Sequence, residues 1–176
     1  VPGLAIGLGA SKLLGNLFAG LSIQTDRPLR VGEFCQIGEN LGFVTKIGLR
    51  SLELQTLESL VKIPNSVADE ATIVNFSRRD SSPSPNPRQG VELRLQLPGH
   101  FSPFQLEELL CQSRLLIEDP ERLDGLKAES YLVSLDNDSG DGKTLIVFVL
   151  VELHGWPAYL HMRETLLVQL EELLER

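Results

Sequence analysis

The densest run of oxygen ligands in this sequence is Asp136-Asn137-Asp138-Ser139-Gly140-Asp141-Gly142. A helix-loop-helix calcium site needs Gly at its sixth position and Glu at its twelfth. Asp141 and Val147 stand there instead, so the run reads as a solvated hairpin loop. His100, His154 and His161 are scattered, and no two lie at the i, i+4 spacing that a helical metal pair requires. His161 and Glu164 can meet as a surface pair on one helix. Cys35 and Cys111 cannot by themselves build a disulfide framework or a four-ligand zinc site. Each lies in an apolar pattern and reads as a small buried hydrophobe. Gly3 to Gly9 follows no strand and does not have the order of a dinucleotide loop. No nucleophile elbow, phosphate-cradling glycine loop or CxxC is present. The residues therefore point to no enzyme chemistry and imply no cofactor. Arg78-Arg79 and the pair Arg27/Arg30 are basic enough to suggest single-stranded RNA. Stacking on RNA bases asks for exposed aromatics, however, and Phe34, Phe43 and Phe76 read as core.

With little catalytic chemistry to place, the elements carry the argument. The sequence has 176 residues, with 16 Lys+Arg against 24 Asp+Glu and a net charge of −8. Hydrophobic residues are 42% and charged residues 23%, which fits a globular fold and excludes disorder and collagen-like structure. The charge is unevenly placed. Residues 1–90 have nine basic and eight acidic side chains, whereas residues 91–176 have seven and sixteen. Near the division lie Pro83, Pro85 and Pro87, which cannot continue a helix or a central strand. Residues 80–90 are therefore read as an extended Pro/Ser-rich linker. The first residue is Val1, with no signal-peptide pattern, and the sequence reads as a trimmed piece.

Residues 1–24 have five glycines before Ile23 and a single charge, Lys12. Gly3, Gly7, Ser11, Gly15 and Ala19 recur at i, i+4, along one helical face. So much Gly weakens a solitary helix by about 1 kcal/mol per residue relative to Ala. It suits a helix that approaches copies of itself closely. A Gly-rich loop before a buried helix is the alternative. Leu4 and Leu8 form one ladder beside the glycines, and Leu13, Leu17 and Leu21 another. The apolar run is shorter than the ~20 residues a bilayer span needs.

From residue 27 to 79 the pattern is β. Strands are expected at Glu33–Gly38, Leu41–Gly48, Arg50–Gln55, Ser59–Pro64 and Thr72–Ser77, in a small, strongly bent sheet or barrel. Leu41, Phe43 and Ile47 fall on one period-2 face, and Pro64-Asn65-Ser66 is a turn signal. The remainder reads β-α-β-β-α. Val91, Leu93, Leu95 and Leu97 alternate with polar residues, so they form a half-buried strand. Ser102, Pro103 and Gln105 make a capping box. Leu106, Leu109, Leu110, Leu116 and Ile117 then give a helical face. Strands follow at Lys127–Leu135 and Thr144–Leu153. Pro157 opens a last helix with Leu166, Leu167, Leu170, Leu173 and Leu174 inward.

Four segments stand in a telling order: GLAIGLGASKLLGNLFAG, RPLRVGE, VKIPNS and TIVNFSRRD. Through them the chain resembles the small-conductance mechanosensitive channel (MscS) family. The second half resembles it by pattern rather than by motif. The resemblance implies an α+β fold in several parts. These are the end of a pore-lining transmembrane helix (1–24), an Sm-like β domain (25–79), the linker (80–90) and a ferredoxin-like α/β domain (91–176). It implies a homo-oligomer, a heptamer in that plan, in the inner or plasma membrane. Residues from about 25 onward would be cytoplasmic, and the partners would be lipid, permeant ions and small solutes, with no nucleic acid.

By the same resemblance, Leu4 and Leu8 match the family's pore-closing leucine rings, and Gly3, Ala5, Gly7 and Gly9 the seam between neighbouring helices. Rings of Leu in a narrow pore exclude water and ions. The family often bends this helix at a glycine where Lys12 stands, which leaves Gly9 or Gly15 to supply a hinge. Ser11, Lys12 and Gly15 are thus candidates for hinge or pore charge, with Lys12 facing either the pore or lipid headgroups. Asn16, Gly20 and Arg27 are candidates for coupling the helix to the β domain. Asn16 is otherwise an ordinary polar residue on the helix surface. The implied function is a channel opened by membrane tension that releases solutes under hypo-osmotic stress. The alternatives are a relative gated by a ligand domain outside the sequence, and a soluble Sm-like ring that binds RNA.

Overall fold

The structure, a computed structural model, describes residues 2–26, 28–78, 88–99, 101–137 and 142–175. Of the side chains at 2–6, 8 and 9 nothing is described. The chain divides into two compact units, Val1–Ser82 and Pro83–Arg176.

The first unit begins with a single unbroken helix, α1 (Pro2–Asp26), that runs through Lys12 and both candidate hinge glycines. Five strands follow: β1 (Phe34–Ile37), β2 (Asn40–Ile47), β3 (Ser51–Gln55), β4 (Leu60–Pro64) and β5 (Ile73–Asn75). They form an antiparallel sheet in the order β4-β3-β2-β1-β5, with β4 and β5 at its edges. Its core contains Leu29, Cys35, Ile37, Val44, Leu52, Leu54 and Ile63. Ile23 of α1 and Ala68 of a short helix, α2 (Asn65–Glu70), complete it. The expected turn at Pro64-Asn65-Ser66 ends β4, but the chain then winds into α2 instead of reversing.

The period-2 reading of Leu41, Phe43 and Ile47 needs correcting. Leu41 is exposed, while the consecutive residues Phe43 and Val44 are both buried. The β2–β3 register shifts between Val44 and Lys46, so a bulge at Thr45 reverses the parity of the strand. An extra residue in one strand does this by opposing two residues to one, which also bends the sheet. Gly42 allows β2 to approach β3, since a Cβ there would collide with the Gln55 carbonyl.

The second unit is an α+β layer. Strands β6 (Arg88–Leu97), β7 (Ser130–Asn137) and β8 (Lys143–Glu152) pair antiparallel in the order β6-β8-β7. The helices α3 (Pro103–Glu118) and α4 (Gly155–Leu174) supply the rest of its core. The expected alternation in β6 is present, with Val91, Leu93 and Leu97 buried and Glu92, Arg94 and Gln96 exposed. The capping box of α3 is formed in both directions. The Ser102 hydroxyl accepts from the Gln105 N–H (3.3 Å), and the Ser102 N–H donates to Gln105 Oε1 (2.9 Å). Leu166 and Leu170 of α4 are buried as expected, together with Met162, which the leucine spacing did not single out. A 3-10 turn, Pro120–Leu123, was also unsignalled and places Leu123 in the core. It ends on Asp124 in a left-handed conformation, φ 54°.

Candidate functional site at the helix–sheet junction

The face of α1 that meets the sheet is set by helical spacing. Asn16, Ala19, Gly20 and Ile23 lie at i, i+3, i+4 and i+7, which is one face. Ala19, Gly20 and Ile23 are buried. The opposite face carries Leu13, Leu14, Leu17, Phe18 and Leu21, all exposed in the single chain, with Phe18 at 68%.

Two polar contacts fasten α1 to the start of α2. The Asn16 side-chain oxygen accepts from the Ser66 N–H (3.2 Å) and from the Ser66 hydroxyl (2.9 Å). Its amide donates back to the Lys12 carbonyl at 2.9 Å, which orients the group. One turn further along, Gly20 rests against Asn65 and the Leu49 carbonyl. A methyl group on Gly20 would lie 2.5 Å from Asn65 Nδ2 and 2.8 Å from that oxygen. Asn65 is fully buried. Its N–H donates to the Arg50 carbonyl (2.9 Å) and its amide to the Gly48 carbonyl (3.0 Å). One buried asparagine at the end of β4 therefore bonds twice to the β2–β3 connection and packs against the α1 surface. Leaving such a group unpaired would cost about 1–3 kcal/mol.

The candidate residues are thus distributed as follows. Asn16 and Gly20 meet adjacent residues of α2. Arg27 lies outside the described residues. Ser11 and Lys12 are exposed, and Gly7 and Gly15 have open space beside them in the single chain. Gly3, Leu4, Ala5, Leu8 and Gly9 belong to α1, but their side-chain surroundings lie outside what is described.

A second cluster escaped the sequence reading. Glu33 is 6% exposed, and its carboxylate accepts four hydrogen bonds. The donors are the Arg30 N–H (2.7 Å), the Asn75 amide (2.9 Å), Arg78 Nε (2.6 Å) and Arg78 Nη2 (3.1 Å). The Asn75 amide also donates to the Pro28 carbonyl at 3.1 Å. The Ser77 hydroxyl accepts from the Phe34 N–H at 2.8 Å. The signal was the pairing of two quoted segments, RPLRVGE and TIVNFSRRD, which supply Glu33 and Arg78. Arg78, one of the basic residues that could suit RNA, bonds to this carboxylate instead. Phe34 and Phe43 are core as expected, with ring centroids 4.8 Å apart. Phe76 stacks on Phe34 but remains 38% exposed.

Three smaller expectations change. Cys35 is buried, but Cys111 is exposed on α3, because its position falls between the buried residues of that helix. His161 pairs with Asp124 at 3.1 Å rather than with Glu164, since the strained 3-10 exit brings Asp124 to α4. Thr165 Oγ1 donates to the same Asp124 oxygen at 3.0 Å. Among the described residues no three His, Cys, Asp or Glu side chains are placed to hold a metal. Asp138 to Asp141 of the acidic loop lie outside those residues.

The end of α1, held by Asn16 and Gly20 against α2 beside a small antiparallel sheet, falls in a region with known relatives. Residues 12–78 match the family described as "Mechanosensitive ion channel, beta-domain". The similarity is to the small-conductance mechanosensitive channel (MscS) family, a family of ion channels and not of enzymes, through the β-domain match at residues 12–78 and through relatives of lower identity matched over nearly all of the chain. The chain is 27% identical over 175 residues to an MscS family protein of Aquifex aeolicus, covering 99% of this chain and 45% of that protein. Over 81 residues it is 36% identical to the large-conductance mechanosensitive channel MscMJLR of Methanocaldococcus jannaschii, covering 46% of this chain and 22% of that channel. The chain thus spans less than half the length of these relatives. The cryo-EM structure of Arabidopsis thaliana MSL1 is similar in fold. The TM-score is 0.61 at 20% identity, over 99% of this chain and 60% of that one. Among the described residues no helix is long and apolar enough to cross a membrane. In α1 the apolar character is interrupted by Lys12 and Asn16 and ends at Gln24, Thr25 and Asp26.

Proposed function

We propose that this chain is the pore-proximal and cytoplasmic part of an oligomeric channel that opens under membrane tension. In this reading α1 ends the pore lining, and copies surround one axis, seven in the family plan. The assembly sits in the inner or plasma membrane, residues from about 25 onward are cytoplasmic, and ions and small solutes pass under hypo-osmotic shock. Leu4 and Leu8 form the closing rings, and a constriction of Leu offers water and ions no polar partner. Gly3, Ala5, Gly7 and Gly9 form the seam on which neighbouring helices slide. Ser11, Lys12 and Gly15 set the bend or charge near the exit. Tension shifts the population towards the state of larger membrane area.

The observation that supports this best is the junction itself. A moving pore helix needs a fixed footing, and Asn16 and Gly20 give α1 one on Ser66 and Asn65. The junction extends the match with the channel β domain into the helix, since residues 12–78 begin within α1. The test is patch recording of the full-length protein under graded suction. Tension-activated current is the expected result, and its absence would refute the reading.

A further inference from the structure

The weakest strand of the first unit sits where the chain leaves it. β5 has three residues, lies at the sheet edge and pairs only with β1. Its ladder is extended by one backbone bond at each end, from the Phe76 N–H to the Phe34 carbonyl at 2.9 Å and from the Gly38 N–H to the Thr72 carbonyl at 3.2 Å. Residue 78 is the last described residue before the Pro/Ser-rich linker. In sequence, the Pro/Ser-rich stretch joins residue 78 to β6 of the second unit, which begins at Arg88. A pull along the linker therefore reaches β5 first, and so short an edge strand peels easily.

The Glu33 cluster lies across that point. One buried carboxylate holds Asn75 at the end of β5 and Arg78 just beyond it. It also holds the Arg30 N–H of the segment that follows α1. Asn75 and Ser77 add bonds to Pro28 and Phe34. The start and the exit of the sheet are thus tied to each other by side chains, independently of the β1–β5 ladder. We infer that the Glu33 carboxylate is a mechanical fastening, which keeps displacement of the linker from peeling β5 off β1 by clamping Asn75 and Arg78 against residues 28–33. The load on it rests on the channel reading, in which the second unit moves relative to the membrane. The clamp itself does not.

The residue choice follows from the chemistry. The Arg78 fork reaches both carboxylate oxygens, a two-point contact that lysine cannot reproduce. Glu33→Gln keeps the shape but turns an amide donor towards a guanidinium and an N–H, leaving the partly buried Arg78 cation without its counter-charge. Hydrogen exchange by mass spectrometry on the full-length, detergent-solubilised protein tests this without requiring current. In Glu33→Gln, exchange in residues 72–78 should rise about tenfold, with residues 51–64 unchanged within about twofold. Arg78→Lys keeps the charge but loses the fork, and should show a smaller rise in the same place. It carries the test if Glu33→Gln does not fold. Unchanged exchange at 72–78, or an equal rise throughout 28–78, would overturn the fastening. In patch recording the variants should lose current over repeated pressure pulses while the unaltered protein does not. Silence of the unaltered protein would sink the channel reading and leave the exchange result standing.

Discussion

At the scale of single residues, Gly20 and Cys35 carry the sharpest consequences. Gly20 is needed for space, since any side chain meets Asn65 and the Leu49 carbonyl within 3 Å. Gly20→Ala should therefore push α1 off α2 and destabilise the first unit by about 1–3 kcal/mol, despite the better helix propensity of Ala. Denaturant unfolding of the full-length protein in detergent measures this, and a gain in stability would refute the contact. Cys35 is buried, and burial, followed by the nearby Glu33 carboxylate, pushes its thiol from 9.0 up to about 12, with Arg78 pulling the other way. The folded state thus keeps the proton longer than the unfolded chain does. This contribution to stability is complete below about pH 9 and is lost as pH rises from there towards 12. Cys111 is exposed. Alkylation of the native protein at pH 8 should label Cys111 alone, and both cysteines should react once it is unfolded. Peptide mass mapping decides the matter; fast native labelling of Cys35 would contradict its burial.

At the scale of elements, local signals carried far. All five strands of the first unit begin and end within two residues of the spans expected from alternation and turn residues. The α3 start was set by Ser102, Pro103 and Gln105, and each plays its expected part. Ser102→Ala should cost the second unit about 1 kcal/mol, whereas Ser102→Gly should cost only a few tenths. Thermal unfolding of the two variants separates them, and equal losses would show that the cap contributes little. Where the reading failed, a non-local contact had decided. The bulge at Thr45 depends on the partner strand β3, and period-2 counting along β2 alone cannot register it. The exposed position of Cys111 likewise depends on which stripe of α3 faces the sheet.

For the whole molecule, the unequal charge now has a physical setting. The first unit with its helix is nearly neutral, and the second holds the acidic excess. In the proposed channel the neutral part adjoins the membrane. In that proposal the energetics of opening rest on residues that only the assembly brings together. Leu4→Ser or Leu8→Ser should hydrate the closed constriction and lower the suction needed to open the pore. An unchanged threshold in both variants would remove these leucines from the gate. The exposed apolar face from Leu13 to Leu21 has the same logic, because it is uncovered in the single chain and, in the proposed channel, would meet lipid or a neighbouring copy.

By itself the sequence indicated most of the elements, the strands of the first unit, the α3 cap and the resemblance to a channel family, but neither α2 nor the 3-10 turn. What it indicated is written in short-range periodicity, turn chemistry and contiguous motifs, which need no knowledge of distant contacts. The tertiary structure decided which residues became partners. Asn16 finds Ser66 and Glu33 finds Arg78 across 50 and 45 positions respectively. A side chain's type states what bond it can make, but only the closed sheet states with whom. For Glu33 that difference is decisive. It stands at the start of an expected strand, where the sequence named no partner for it, and folding buries it among four donors.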